Sequence, residues 1–301
     1  MKKIICIGEC ALDIVFNGAQ PVGSMPGGRI VNAAAILARQ GLPVSLVSEL
    51  ARGAVGDMIA GFLNDAGVGI ASVDRFTEGL TPVIIYTSTD NVLESVTRYE
   101  QYPDECFDVI WPRIDEGDIV VYGGYYALDA RMRPRMSQLL AHAAERKAVT
   151  VYLPGFLPQQ EPQITRVMPV ILENLEYASV VVVRNNDLRT IFGVSDGERC
   201  YHDHIDFYCR SLVNVDIEGR RICYYSAKEV TSVEIPEDMC LSMMWNAGVV
   251  AGAVDVLYRD DDAAAHLESP DDAFRRNVLT GAVRTAETAL KSLTADWQKL
   301  H

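Results

Sequence analysis

Two adjacent glycines, Gly27 and Gly28, stand at the head of a run of helix formers that stops at Gly41. Paired glycines permit backbone conformations that a side chain forbids, and they let a ligand approach the main chain closely. The Ala/Ile/Leu-rich run after them predicts a helix packed tightly on a sheet and closed by Gly41. Apolar strands are expected on either side of it, at 4–7 and 44–47. Strand, glycine turn, helix and strand in that order point to a mainly parallel sheet flanked by helices.

The rest of the chain repeats this alternation. Strands are expected at 119–122 and 149–153, and at 179–183, a nearly pure valine run of the kind buried on both faces. Helices are expected over 59–66, 132–146, 167–175, 206–212, 246–258 and 271–293. Two β-rich pieces, about 10–25 and 80–100, have no helix between their strands and are read as a separate small sheet. In the second piece, strands at 82–88 and 92–99 flank Asp90-Asn91, a hairpin signal. The 301 residues are enough for one large globular domain with a small appendage.

The formal net charge of −14 argues against nucleic acid and anionic membrane surfaces as partners. It leaves a phosphate ligand open, because helix N-termini bind anions without net positive charge. No apolar run reaches the ~20 residues of a membrane span. The opening segment, Met1 to Gly8, reads as a core strand with no signal-peptide cleavage site. Seven irregularly spaced cysteines predict reduced thiols, as in a cytoplasm. The run Asp260-Asp261-Asp262 reads as a solvated loop. Cys200, His202, Asp203, His204 and Cys209 admit two readings. One is a zinc site. The other, which is favoured, is an amphipathic helix burying Tyr201, Ile205, Tyr208 and Leu212, and no metal site is assigned. Nothing matches a Walker loop, a hydrolase triad or a dinucleotide fingerprint in its strand–helix setting.

One ordered set of residues carries a family resemblance: Gly8-Glu9, Asp13, Pro26-Gly27-Gly28, Asn32, Gly41, Gly56, Leu63, Gly67-Val68 and Thr81-Pro82. Over residues 1–82 the chain resembles the ribokinase/PfkB family of carbohydrate kinases, and the likeness continues more loosely beyond. The resemblance implies a doubly wound α/β fold with a small β lid from the two β-rich pieces. It also implies transfer of the γ-phosphate of ATP, with Mg²⁺, to a hydroxyl of a sugar or nucleoside. Asp13 and Asn32 would then bind substrate hydroxyls, with Gly27 and Gly28 admitting the sugar to the backbone. Two blander readings stay open: Asp13 as a turn residue, and Asn32 as the cap of its own helix. Exposed strand edges in the lid predict a homodimer.

The family's remaining elements match poorly. Its Gly-Ala-Gly-Asp element falls on Met244-Trp245-Asn246-Ala247, followed by Gly248. The catalytic base position is therefore Ala247, which takes no proton, and the anion-holding glycines are replaced. An Asp-Pro-Asn-x-Arg segment falls on 153–157, where only Pro154 survives. The Asn-x-x-Glu that organises Mg²⁺ falls on Arg184 to Asp187, with Asp187 as the replacement acid or, one residue out of step, Asn185. The nucleotide-side Gly-x-x-Gly is reduced to Gly219, beside Glu218. Loss of a general base typically costs about 10²–10⁴ in rate. Glu237 and Asp238 are alternative bases only if their loop folds back, and Asp255 lies ~12 Å past Ala247 along a helix. The expectation is a carbohydrate kinase of weak or absent activity; the alternative is an inactive sugar-binding pseudokinase.

Overall fold

The computed structural model describes residues 2–89, 92–104, 110–161, 163–227, 229–237, 239 and 242–291. Strand β1 (Ile4–Ile7) leads into the hairpin β2 (Ala11–Asn17) and β3 (Gln20–Gly27), then α1 (Arg29–Arg39), β4 (Val44–Ala51), α2 (Ala54–Asp65) and β5 (Gly69–Phe76). Strands β6 (Leu80–Thr89) and β7 (Val92–Gln101) precede β8 (Ile119–Gly123), α3 (Arg133–Glu145), β9 (Val149–Leu153), α4 (Ile164–Glu176), β10 (Val180–Arg184) and α5 (Asn185–Phe192). A short turn α6 (Gly197–Cys200) is followed by β11 (Leu212–Asp216), β12 (Arg221–Ser226) and β13 (Glu229–Glu234). Helices α7 (Met243–Arg259), α8 (Ala263–Glu268) and α9 (Asp272–Lys291) close the described chain.

Nine strands form one sheet in the order β13-β12-β11-β10-β9-β8-β1-β4-β5. Pairing is parallel from β5 to β11, and β12 and β13 add antiparallel at one edge. Side chains alternate between two cores. Ile4 and Cys6 pack toward α1 and α7, whereas Ile5 and Ile7 pack toward α3 and α4. The valine strand β10 divides the same way, Val180 and Val182 to one core and Val181 and Val183 to the other. That burial on both faces is why the run is apolar throughout. The α/β class expected from the sequence is the class observed.

A second sheet, β3-β2-β6-β7, stands apart from the first. Its outer pairs are antiparallel, and its central pair, β2 with β6, is parallel. Residues Asp90 and Asn91, the hairpin signal, lie outside the described residues.

The largest departure from the local expectations lies at 201–216. The helix expected over 206–212 is absent: helical turns run earlier, through Tyr201–Ile205, and Leu212 already begins β11. The hydroxyl of Tyr201 donates to the Arg210 carbonyl at 2.8 Å and accepts from the Ala227 amide at 2.9 Å, folding the segment back on itself. Cys200 and Cys209 are buried here while His202 is exposed, so the candidate zinc ligands face opposite ways. Among the described residues no group of three metal-competent side chains converges. The sequence reading places no strand at β5, β11, β12 or β13, whose runs carry no strong alternation of buried and exposed positions.

Candidate active site

In the main sheet β1 connects outward to β4 and β5, while β8, β9 and β10 run the other way. The order therefore reverses between β1 and β8, and open α/β sheets bind ligands at such a point, beyond the carboxyl ends of the strands. A cavity of about 390 Å³ lies there, roofed by the small sheet. Gly8 and Glu9 after β1, Gly123 and Gly124 at the end of β8, and Arg184 at the end of β10 line it. Asp13 from β2, Tyr86 from β6 and Arg98 from β7 reach it from the small sheet. Arg29 and Asn32 come from α1, and Asn246 from α7.

Asp13 lies mid-strand and is 2% exposed, so it is not a turn residue. Its carboxylate sits where a Cβ on Gly27 would be. Gly27 thus makes room for Asp13 rather than for a ligand, which corrects the role expected of it. Gly28 does line the cavity, at φ +110°, and a Cβ there would lie 2.6 Å from the Glu9 carbonyl oxygen. Gly28 is also the N-cap of α1, with no side-chain cap, so Asn32 does not cap the helix. Asn32 is 4% exposed and Asn246 6%. The Oδ1 atoms of Asp13, Asn32 and Asn246 are all buried without a hydrogen-bond partner. Each such atom costs roughly 1–3 kcal/mol unless something donates to it.

Burial raises the carboxyl of Asp13 to about 7, against the pull of Arg98 and with a further push from Glu9. Glu9 is itself raised, chiefly by burial, although Arg98 donates to it at 2.9 Å and Gln160 at 3.1 Å. Arg98 also pairs with Glu100 at 2.7 Å.

The expected nucleotide side is built differently from the reading of the sequence. Ala247 is fully buried in α7 and is not among the residues lining the cavity. Gly248 faces α9, where a Cβ would come 2.5 Å from the Ala286 Cα. It is a helix-contact glycine, not an anion-binding one. Ser242 caps α7, its Oγ accepting from the Trp245 amide at 3.2 Å and its carbonyl from the Asn246 amide at 3.0 Å. Two donors at the expected anion-holding turn are therefore already used. Gly219 is exposed in the β11–β12 turn and is not among the residues lining the cavity; its amide donates to Asp216 Oδ1 at 2.9 Å. Glu237 is exposed outside the cavity lining, and Asp255 pairs with Arg259 at 2.8 Å. Asp238 lies outside the described residues.

Asp187 is held by two guanidinium groups. Arg184 takes both oxygens, Nε to Oδ2 and Nη2 to Oδ1, each at 2.8 Å. Arg29 reaches Oδ2 at 3.2 Å. Although burial opposes it, the two cations hold the Asp187 carboxyl at about 2. A carboxylate so engaged does not fit a divalent metal; the Nδ2 of Asn185 donates to Asp216 Oδ1 at 2.8 Å, and its Oδ1 is buried without a hydrogen-bond partner. The reading of the sequence missed Arg29, Arg98 and Arg184 as site residues. The position of Arg29 directly after the glycine pair, and of Arg184 directly after the valine strand, was the available signal.

No curated protein matches this sequence. Among solved structures the chain is similar to aminoimidazole riboside kinase from Salmonella enterica, solved with aminoimidazole riboside and an ATP analog (TM-score 0.80, 16% identity, 99% of this chain and 96% of that one). It is similar also to a fructokinase double mutant from Vibrio cholerae O395 with fructose, ADP and potassium bound (0.79, 16%, 100% and 95%). A fructokinase from Xylella fastidiosa with bound ATP gives 0.73 at 17% identity, over 97% and 95% of the two chains. At these identities the likeness is one of fold. Residues 1–205 match the pfkB family carbohydrate kinase, more than half of the 301, so the chain belongs to the pfkB family of carbohydrate kinases.

Proposed function

We propose that this protein binds a polyhydroxylated small molecule in the cavity between its two sheets, with little or no phosphoryl transfer. The observation that carries the reading is the set of unpartnered buried oxygens on Asp13, Asn32 and Asn246. Sugar hydroxyl groups supply the donors these atoms lack, and the fixed geometry of carboxylate and amides sets which hydroxyls are read. The reading against turnover rests on Ala247, on the amides consumed by Ser242, and on the neutralised Asp187. These residues do not fit ATP with Mg²⁺ as the family uses them.

A second reading, retained transfer to a sugar or nucleoside hydroxyl, is favoured by one feature. Asp13 sits near 7, where a carboxyl can accept a proton at neutral pH. Calorimetric titration with pentoses, hexoses and nucleosides, with and without Mg-ATP, separates the two. Binding without nucleotide and without ADP release is expected; ADP release coupled to a phosphorylated product would establish the second reading. Asp13→Ala is expected to abolish polyol binding with the far-UV circular dichroism unchanged, and an unaltered affinity would refute the site.

Val22, Leu80 and Tyr99, outside the cavity lining, are large apolar side chains left exposed on the small sheet, whose edge strands β3 and β7 are unpaired on one side. We read this face as covered by a second copy of the chain. Sedimentation equilibrium should show a dimer that Tyr99→Glu converts to monomer.

A further inference from the structure

A second cleft, of about 510 Å³, lies at the opposite end of the main sheet from the cavity described above. The amino ends of β9, β10 and β11, the carboxyl ends of α3 and α4, and α8 enclose it. Helices α3 and α4 pack on one face of the sheet and α8 on the other, so the cleft straddles the sheet end. Its floor is buried, and the polar atoms there are used internally. Thr150 Oγ1 donates to the Tyr177 carbonyl, and Cys209 Sγ to the Ser211 carbonyl at 3.4 Å. Recognition of a ligand therefore falls to the walls.

Four charged side chains form those walls. Lys147 precedes β9, Glu176 precedes β10 and Arg210 precedes β11, and these strands are neighbours. The order along the sheet end is thus cation, anion, cation, with Glu268 of α8 as a second anion. Among the described residues none of the four side chains has an ion-pair or hydrogen-bond partner, although both signs share one cleft. The half-buried rings of Tyr177 and Tyr208 supply an apolar surface between them.

Lys147 is also held against a backbone preference. Where α1, α2 and α5 end on a left-handed residue, it is glycine: Gly41 at φ +84°, Gly67 at +84° and Gly193 at +72°. Helix α3 ends on Lys147 at φ +56°. The hydrogen bonds are those of the α2 end. The Lys147 amide donates to Ala144 and the Ala148 amide to Ala143, each at 3.0 Å, as Gly67 donates to Asn64 and Val68 to Leu63, each at 2.9 Å. A Cβ is disfavoured in this conformation. The chain thus keeps a side chain at the one such helix end that lines a cleft, and that side chain is a cation.

Opposite charges that share a cleft without pairing suit a molecule carrying both signs, and the volume is within the ~300–1,000 Å³ of small-molecule sites. We propose that this cleft is a second binding site, for an α-amino acid with an apolar or aromatic side chain. Its carboxylate meets Lys147 and Arg210, its ammonium group meets Glu176 and Glu268, and its side chain lies against Tyr177 and Tyr208. The site stands or falls apart from the polyol reading.

The test is calorimetry with the twenty common amino acids, and with the amide and the N-acetyl form of each that binds. An amino acid with an apolar or aromatic side chain should bind, and loss of either charge should weaken it at least ~10-fold. Glu176→Gln should weaken the free amino acid but not its N-acetyl form. Lys147→Gly should raise the melting temperature by ~1–3 °C while lowering the amino-acid affinity ~10-fold, a pair of changes that a purely structural lysine does not produce. No binding by any of the twenty at ~10 mM overturns the inference. So does binding confined to charged side chains, equal affinity of free and N-acetylated forms, or a Lys147→Gly protein of unchanged affinity.

Discussion

A single carboxylate illustrates how burial turns into a measurable property. Asp13 has its ordinary value of 3.8 raised to about 7 in the folded chain. Its folded form holds the proton over a pH range in which the unfolded chain has released it. Stability therefore falls as pH rises from about 4 to about 7, and is flat above that. At ~1.4 kcal/mol per pH unit the loss is on the order of 4 kcal/mol. Urea unfolding of Asp13→Asn should show a variant more stable than wild type at pH 8, with the gap closing toward pH 4. A gap independent of pH would mean that Asp13 does not titrate this way. Polyol hydroxyls donating to the ionised carboxylate should also make ligand binding release a proton near pH 6.5, visible as buffer-dependent enthalpy. Gly28 gives the companion experiment. Gly28→Ala meets both the Glu9 carbonyl and a φ of +110°, and is expected to lower stability by ~1–3 kcal/mol and weaken ligand binding with it.

At the scale of elements, helices α7 and α9 pack without side chains between them at two places. Gly248 meets Ala286, and Gly252 meets the backbone at Gly281 and Ala282. This close approach keeps α7 fully buried over most of its length and points Asn246 into the cavity. Gly248→Val should therefore lower the unfolding free energy by ~1–3 kcal/mol through overpacking, and shift the helix end that carries Asn246. Gly61 in α2 is the contrast, because nothing lies within 4 Å of where its Cβ would be and its φ is ordinary. Gly61→Ala should raise stability by ~0.4–1 kcal/mol, since it restricts only the unfolded chain. Calorimetric melting of the two variants side by side checks both signs; a stabilised Gly248→Val would show that the helices are not in contact as described.

For the whole molecule, the cavity is closed by both sheets, so a ligand there ties them together. A polyol at 100 times its Kd should add ~2.7 kcal/mol of stability, seen as a rise in the melting temperature. No such shift at a concentration that calorimetry shows to be saturating would mean that binding occurs elsewhere. The alternation of strand and helix, the valine strand and the glycine-headed α1 were all legible in the sequence, because each is a local pattern of burial or backbone freedom. The residues Asp13, Gly28 and Asn32 stand out in the sequence by their order and spacing, and the structure brings them to one cavity. The roles of Gly27 and Gly248 were not, because what fills the space of a missing Cβ comes from a distant segment: Asp13 in one case, Ala286 in the other. Nor was the fate of Asp187, which the family resemblance offers as a metal-organising acid. Only the tertiary structure sets Arg29, 158 residues away, beside it. Sequence determined the layers and which faces are apolar, since these follow from periodicity. The charge and chemistry of the site were decided by which strand ends meet at the sheet's switch point, a long-range arrangement that no local pattern encodes.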